Sequence, residues 1–367
     1  MQIKSIKIAK FAIPLIRPFI TAVRKTYNVE DIVVMIETTD GKIGYGSAAA
    51  TPAITGETSE SIIAISNNII APKLIGHNLK NFNELLNLVQ NSCQNNNSAK
   101  AAIDIALHDL FAQKCNLPLY ELLGGGNNTI KTSITISAKD IESMQEDIKD
   151  LLSQGFDIFK IKLGLDPDND LDRIIAISNI LSNKATFAID ANQGWNCKLA
   201  LQLIKTINSK NIPVAFIEQP VKKDDLISLK KIKDTTSTII VADEACFTPN
   251  DALKIVKQEI ADAINIKFMK CGGIQNAKSI YQIAKTANLD IMLGCMLESP
   301  IGVNAIASFA ISRSNILLAD LDPIALIKSN PVIGGATIKQ NQITLSDKPG
   351  LGIEGFNQNL DIVANIS

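Results

Sequence analysis

Lys160-Ile161-Lys162 opens a run of charges set at nearly even spacing, and that run limits what the chain can fold into. Asp190, in "FAIDANQGW", lies 28 residues beyond Lys162. Glu218 in "VAFIEQP" comes 28 later, Asp243 in "IIVADEA" 25 later, and Lys267 in "AINIKFMKCGG" 24 later. Each charge ends a short apolar run. Such runs read as buried strands, and the intervals leave room for one helix and its loops. The pattern predicts parallel strands alternating with helices, with the charges gathered at one end of the strands.

The same alternation gives eight candidate strands, at 130–137, 157–163, 186–191, 213–218, 238–243, 263–268, 290–295 and 315–321. Eight such units predict a (β/α)8 TIM barrel with an irregular last unit. The N-terminal third differs. Segments 3–13, 31–38 and 42–49 predict a three-stranded antiparallel sheet, its last two strands joined by "TTDGK". Helical periodicity follows over 57–72, 81–93 and 98–115. Ser98 is read as the cap of the last helix, and Ala102, Ala106 and Ala112 as small residues on close-packed faces. The Gly124–Gly126 run lacks G-x-G-x-x-G spacing and marks a boundary, not a phosphate cradle. The expected organisation is an α/β chain: an α+β capping domain over 1–125, a modified barrel over 126–323, and a segment over 324–367 that folds back on the cap.

Bulk composition narrows the partners. The 367 residues carry 36 basic and 37 acidic side chains, a formal net charge of −1. With no basic patch or aromatic interleaving, nucleic acid is not the expected partner. None of the six cysteines forms a C-x-x-C pair. Free thiols fit a reducing compartment, so a cytoplasmic location is expected. Lysines interrupt the N-terminal "MQIKSIKIAKFAIPLI", which reads as a strand and not a signal peptide. No apolar run approaches the ~20 residues of a membrane span. The only histidines, His77 and His108, exclude a multi-histidine metal site and are read as structural.

Barrels of this kind place their active sites at the C-terminal strand ends. The candidates in strand order are Thr135, then Lys160 and Lys162, Asp190, Glu218, Asp243, Lys267, Cys295, and Asp320 with Asp322. Three carboxylates on adjacent strands form a hard oxygen site that favours Mg²⁺. Lys160 and Lys162 share a strand face. Like charges beside a cation are expected to lower a lysine pKa toward that of a general base. Lys267 lies four strands away, across the mouth. A substrate carbon between Lys162 and Lys267 could lose a proton on one face and regain it on the other, which inverts a stereocentre.

These residues, with "DANQGW", "IEQP", "ADE", "NIKFMKCGG" and the helical "AAIDIALHDLFAQKCNLPLYELLGG", resemble the muconate-lactonizing-enzyme subgroup of the enolase superfamily over essentially the whole chain. The resemblance implies a capped, modified barrel with an unusual order in its second unit and a degraded eighth helix. It also implies a Mg²⁺-dependent isomerase with Lys162 and Lys267 as bases and Lys160 holding the substrate carboxylate. Within the subgroup the chain is most similar to dipeptide epimerases. "LADLDP" supplies Asp320 and Asp322, which in that family bind the dipeptide's ammonium. "FITAVRKTY" supplies Arg24, near the substrate's distal end. "YGSAAATPAITGE" departs from the Ala-Glu pattern at Ser47 to Ala50. With Cys295, Met296 and Leu297, that departure suggests a roomier pocket that accepts hydrophobic dipeptides. A strict L-Ala-D/L-Glu epimerase is the alternative. Others are an o-succinylbenzoate synthase or N-acylamino-acid racemase of the same subgroup, and a non-catalytic binding barrel. The expected partner is a small dipeptide, with no membrane or nucleic acid, and self-association into a homo-oligomer is left open.

Overall fold

The computed structural model describes residues 1–182 and 184–367. An N-terminal antiparallel sheet contains β1 (Ile3–Ile20), β2 (Lys25–Thr38) and β3 (Ile43–Ala49). The barrel strands are β5 (Ile134–Ile136), β6 (Ile158–Lys162), β7 (Thr186–Asp190), β8 (Val214–Glu218), β9 (Ile239–Ala242), β10 (Ala263–Ile266), β11 (Asp290–Gly294) and β12 (Ile316–Asp320). They are neighbours in chain order and pair in parallel. The Ser133 amide donates to the Ala319 carbonyl at 3.0 Å and ties the two end strands together. The expectation of an unusual second unit fails, because the second unit follows its neighbours in direction and order.

Two sequence-predicted elements are divided. The 130–137 strand splits into β4 (Thr129–Lys131) and β5. β4 pairs outside the barrel with β15 (Gln342–Thr344), which pairs in turn with β14 (Thr337–Lys339). The helix over 57–72 becomes an α-helical turn at Ser59–Ile65, a π-helical stretch at Ser66–Ile70 and a 3₁₀ turn at Ala71–Lys73. Pro72 at the start of the last turn cannot donate the bond that would continue the helix.

Past β12 only Pro323–Leu326 is helical, so the eighth helix is reduced to a turn. The far half of β1 covers that side. Leu15 bridges Ile327, Lys328 donates to the Pro14 carbonyl at 2.9 Å, and Ala138 donates to the Ile20 carbonyl at 3.0 Å. The chain then forms β13 (Val332–Gly334) paired with β16 (Ile353–Phe356). β17 (Asp361–Ile366) adds a fourth strand to the N-terminal sheet, antiparallel to β1.

The helix Asn97–Cys115 joins sheet to barrel. A Cβ at Gly46 would lie 1.9 Å from the Ala102 carbonyl oxygen, and one at Gly44 2.4 Å from that of Ala106. Small residues on both surfaces permit this close approach. Ser98 does not cap the helix. Its amide and that of Ala99 instead donate to the Glu57 carboxylate at 2.8 and 3.2 Å, which suits the positive N-terminal end. Farther along, Asp104 accepts from the Ile274 amide at 2.6 Å and so caps the barrel helix Ile274–Thr286. His108 is fully buried, its Nδ1 2.9 Å from the Asp104 carbonyl oxygen.

Candidate active site

The strand ends converge as the spacing predicts. Asp190, Glu218 and Asp243 close β7, close β8 and follow β9, all buried. They can offer three carboxylate oxygens within 4.8 Å of one another. The local sequence explains the aim of each. After Asp190, Asn192 and Gln193 both adopt positive φ, and the Asn192 amide turns back to Asp190 Oδ1 at 2.9 Å. A Cβ at Gly194 would lie 2.4 Å from Gly164 Cα, so this tight loop needs glycine there. In "IEQP", Gln219 Oε1 accepts from the Asp243 and Ala245 amides at 2.9 and 3.1 Å. One motif thereby fixes the next.

Ammonium groups lie on these carboxylates. Lys162 Nζ is 2.6 Å from Asp190 Oδ2, and Lys267 Nζ is 2.7 Å from Asp243 Oδ2. Lys160 is wholly buried, with contacts to Glu218 Oε2 at 2.6 Å, Asp320 Oδ2 at 2.7 Å and Asp190 Oδ2 at 3.2 Å. Glu218 Oε2 makes that ion contact without an aligned hydrogen bond, so it can still take a cation. An all-oxygen, buried donor set of this kind fits Mg²⁺.

Neighbouring carboxylates hold two of the lysines in the charged form. Burial alone would lower the Lys267 ammonium, but Asp243 more than reverses it, and the group stands above its ordinary value. Lys160 is raised in the same way against its own burial, by Asp320, Glu218 and Asp190.

A pocket opens over the strand ends. Thr135, Lys162, Lys267, Cys295, Asp320 and Asp322 face it from the barrel, while Arg24 comes from the β1–β2 hairpin. Lys160 does not line it. Cys295 Sγ donates to the Asp320 carbonyl at 3.4 Å. Asp320 is divided between Lys160 and Ser133 Oγ, 2.8 Å away. Asp322 accepts from the Thr135 amide at 2.7 Å, and among the described residues no cation pairs with it. Burial and then the Asp320 charge push its carboxyl up to about 7.

The cap wall departs from expectation. Ser47, Ala48 and Ala49 are buried in β3 and do not line the pocket. Phe19, Val23 and Ile54 supply the apolar surface there, with Met296 and Leu297 opposite. The Arg24 guanidinium lies 5.8 Å from the Phe19 ring centre and 3.4 Å from Thr51 Oγ1. Among the described residues no carboxylate forms a salt bridge with it.

Sequence reasoning missed a supporting layer. Asn265 Nδ2 donates to Glu218 Oε1 at 2.7 Å, and buried Lys270 donates to Asp243 Oδ1 at 2.6 Å. Glu244 also faces the pocket, with neither carboxylate oxygen hydrogen-bonded. Lys270 is the second lysine of "AINIKFMKCGG", and nothing in that segment alone distinguishes its role from that of Lys267.

Comparison with known proteins agrees with this geometry. Residues 4–124 match the N-terminal domain of mandelate racemase/muconate lactonizing enzymes, and residues 143–358 match the enolase C-terminal domain-like family. An L-Ala-D/L-Glu epimerase of Clostridium acetobutylicum is 41% identical over 97% of this chain and 100% of its own. The substrate-liganded L-Ala-D/L-Glu epimerase of Bacillus subtilis superposes with a TM-score of 0.95 at 39% identity, covering 97% of this chain and 99% of its own. A dipeptide epimerase of Enterococcus faecalis, complexed with Mg and L-Leu-L-Tyr, gives 0.92 at 37% identity, covering 96% and 100%.

Proposed function

The chain belongs to the mandelate racemase/muconate lactonizing enzyme family of the enolase superfamily, and from that premise we propose that it is a dipeptide epimerase inverting the α-carbon of the C-terminal residue. The observation that carries this reading is the pocket itself. It sets Lys162 and Lys267 four strands apart in the ring and places Asp320 and Asp322 on a third side.

Asp190, Glu218 and Asp243 would hold Mg²⁺, which when bound offsets the charge of the substrate carboxylate and the charge left as the α-proton departs. Lys162 and Lys267 serve as the two bases, one for each face of the α-carbon. Lys160, expected to hold the substrate carboxylate, is instead tied to three carboxylates behind the pocket wall and fixes the strand ends. Asp322, with an oxygen to spare beyond Thr135, and Asp320 take the free ammonium of the N-terminal residue. A substrate lacking that cation would leave the Asp322 carboxyl buried without a cationic partner, which disfavours the lyase and N-acylamino-acid racemase readings.

Side-chain recognition falls to the cap. Phe19, Val23, Ile54, Met296 and Leu297 suit a hydrophobic C-terminal residue. The unpaired Arg24 guanidinium adds a site for an acidic one, so L-Ala-L-Glu is the second substrate to test. Among the described residues no helix is long and apolar enough to cross a membrane. Six unpaired cysteines support a reducing, cytoplasmic setting.

The test is a panel of free and N-acetylated dipeptides incubated with the enzyme and Mg²⁺ in D₂O. A one-mass-unit gain at the C-terminal residue, with epimer formation, is expected for the free dipeptides. Equal turnover of the acetylated forms would replace this reading with the N-acylamino-acid racemase.

A further inference from the structure

Asp243 is the only member of the acid triad whose two carboxylate oxygens are held by separate lysines of one short segment. Lys267 Nζ lies on Oδ2 at 2.7 Å and Lys270 Nζ on Oδ1 at 2.6 Å. Lys270 is 1% exposed and does not line the pocket, so it touches neither substrate nor solvent. Its other two hydrogen bonds go to the Asp243 carbonyl at 2.5 Å and the Asn265 carbonyl at 2.9 Å. All three ammonium protons thus have an acceptor, and all three bonds bind β9 and β10 to one point. Asn265 in turn holds Glu218 Oε1.

The Lys270 turn has anchors of its own. The Lys270 carbonyl accepts from Asn97 Nδ2 at 2.5 Å, the Gly272 carbonyl from Gln90 Nε2 at 2.7 Å, and the Ile274 amide donates to Asp104 at 2.6 Å. These anchors hold the backbone of the turn apart from the Lys270 side chain, whose bonds go to Asp243 and the Asn265 carbonyl.

We propose that Lys270 is a positioning residue for the reaction. By holding Asp243 Oδ1 and the flanking carbonyls, it keeps Oδ2 turned toward the cation site and toward Lys267. The proposal rests on the reading of Asp243 as a metal ligand and Lys267 as one of two bases. It predicts an asymmetry, because Lys162 is held from β7 by Asp190 and shares none of these contacts. Loss of Lys270 should disturb the Lys267 face and spare the Lys162 face.

Holoenzyme variants Lys270→Met and Lys270→Gln test this. Mg²⁺ affinity is read by calorimetric titration and by the rise in unfolding temperature on adding the ion. Exchange of the α-proton in D₂O is read for each epimer separately, and Lys267→Ala identifies the epimer that Lys267 serves. In Lys270→Met, Mg²⁺ affinity should fall by about 10–100-fold. With Mg²⁺ saturating for each variant, exchange of the Lys267-served epimer should fall by a similar factor, with the other near the wild-type rate. Lys270→Gln keeps one donor for Oδ1 and should lie between.

Removing a positive charge without moving Asp243 would instead tighten the binding of another cation. Unchanged or tighter Mg²⁺ binding in both variants would therefore overturn the proposal, as would equal slowing of the two epimers at saturating Mg²⁺. If Lys270→Met does not fold, Lys270→Gln decides on the same criteria. Failure of the two-base reading would show separately, since Lys162→Ala and Lys267→Ala would not each spare one epimer. The Mg²⁺ titrations stand without it.

Discussion

The three triad carboxylates and their lysines are tolerable when buried because each has an opposite charge within about 3 Å. Asp190→Asn, Glu218→Gln or Asp243→Asn should therefore lose more than a ligand, because each leaves a buried lysine with one carboxylate fewer. Since a metal's charge stabilisation is worth several kcal/mol, turnover should fall by about 10²-fold or more. Full activity of the parent enzyme in excess chelator would refute the metal assignment. Asp322→Asn is subtler, because the amide oxygen can still accept from Thr135 while the charge facing an ammonium is lost. A charge-assisted bond is worth roughly 1.5–3 kcal/mol, so kcat/KM on free dipeptides should drop about 10–100-fold. A smaller loss than that of the parent on moving to N-acetylated dipeptides would confirm the Asp322 role, and identical ratios would exclude it. The triad and its lysines were legible because each ends an apolar run. Lys270, Asn265 and Gln219 were not, because their roles depend on which strand ends meet, and no single segment shows that.

Among the elements, the barrel strands are the most legible, since strands buried on both faces read as continuous apolar runs bounded by loops. The helix Asn97–Cys115 was legible as a helix but not in its start, because its N-terminal amides are satisfied by Glu57, about 40 residues away. That helix also carries Asp109, which accepts from the Tyr45 amide at 2.7 Å and the Leu351 amide at 2.7 Å. Burial pushes its carboxyl from 3.8 up to about 6, the two amides working against it. A raised carboxyl pKa means that the folded chain holds the proton more tightly than the unfolded one. Stability from this group is therefore greatest below about pH 4 and falls as pH rises to about 6, by roughly 1.4 kcal/mol for each pH interval of one across that window. Asp109→Asn abolishes this titration and also loses an acceptor. The variant should be less stable at pH 4, with a shallower decline between pH 4 and 6 in denaturant titrations. An unchanged slope would show that Asp109 does not contribute it.

At the scale of the whole molecule, chemistry and recognition come from different parts of the chain. The lysines and acids lie on barrel strands, while Phe19, Thr21, Val23, Arg24 and Ile54 reach the pocket from the cap. β17 is the chain's last tie to the cap sheet, pairing Ile366 with Ile6 and Ala364 with Ile8. The antiparallel pairing of β17 with the first strand was not legible, because a half-exposed strand of mixed polarity has weak periodicity and its partner lies over 350 residues away. Truncation after Gln358 would leave the β1 edge unpaired but keep every lysine and acid of the pocket. The cap hairpin hangs from β1, so its hold on the substrate side chain should loosen while the strand ends keep their geometry. KM should rise, about tenfold for each 1.4 kcal/mol of cap-side binding lost, with kcat little changed. The unfolding temperature should fall as well. A fall in kcat at constant KM would mean that the cap shapes the reacting groups themselves, and the division of labour would be wrong.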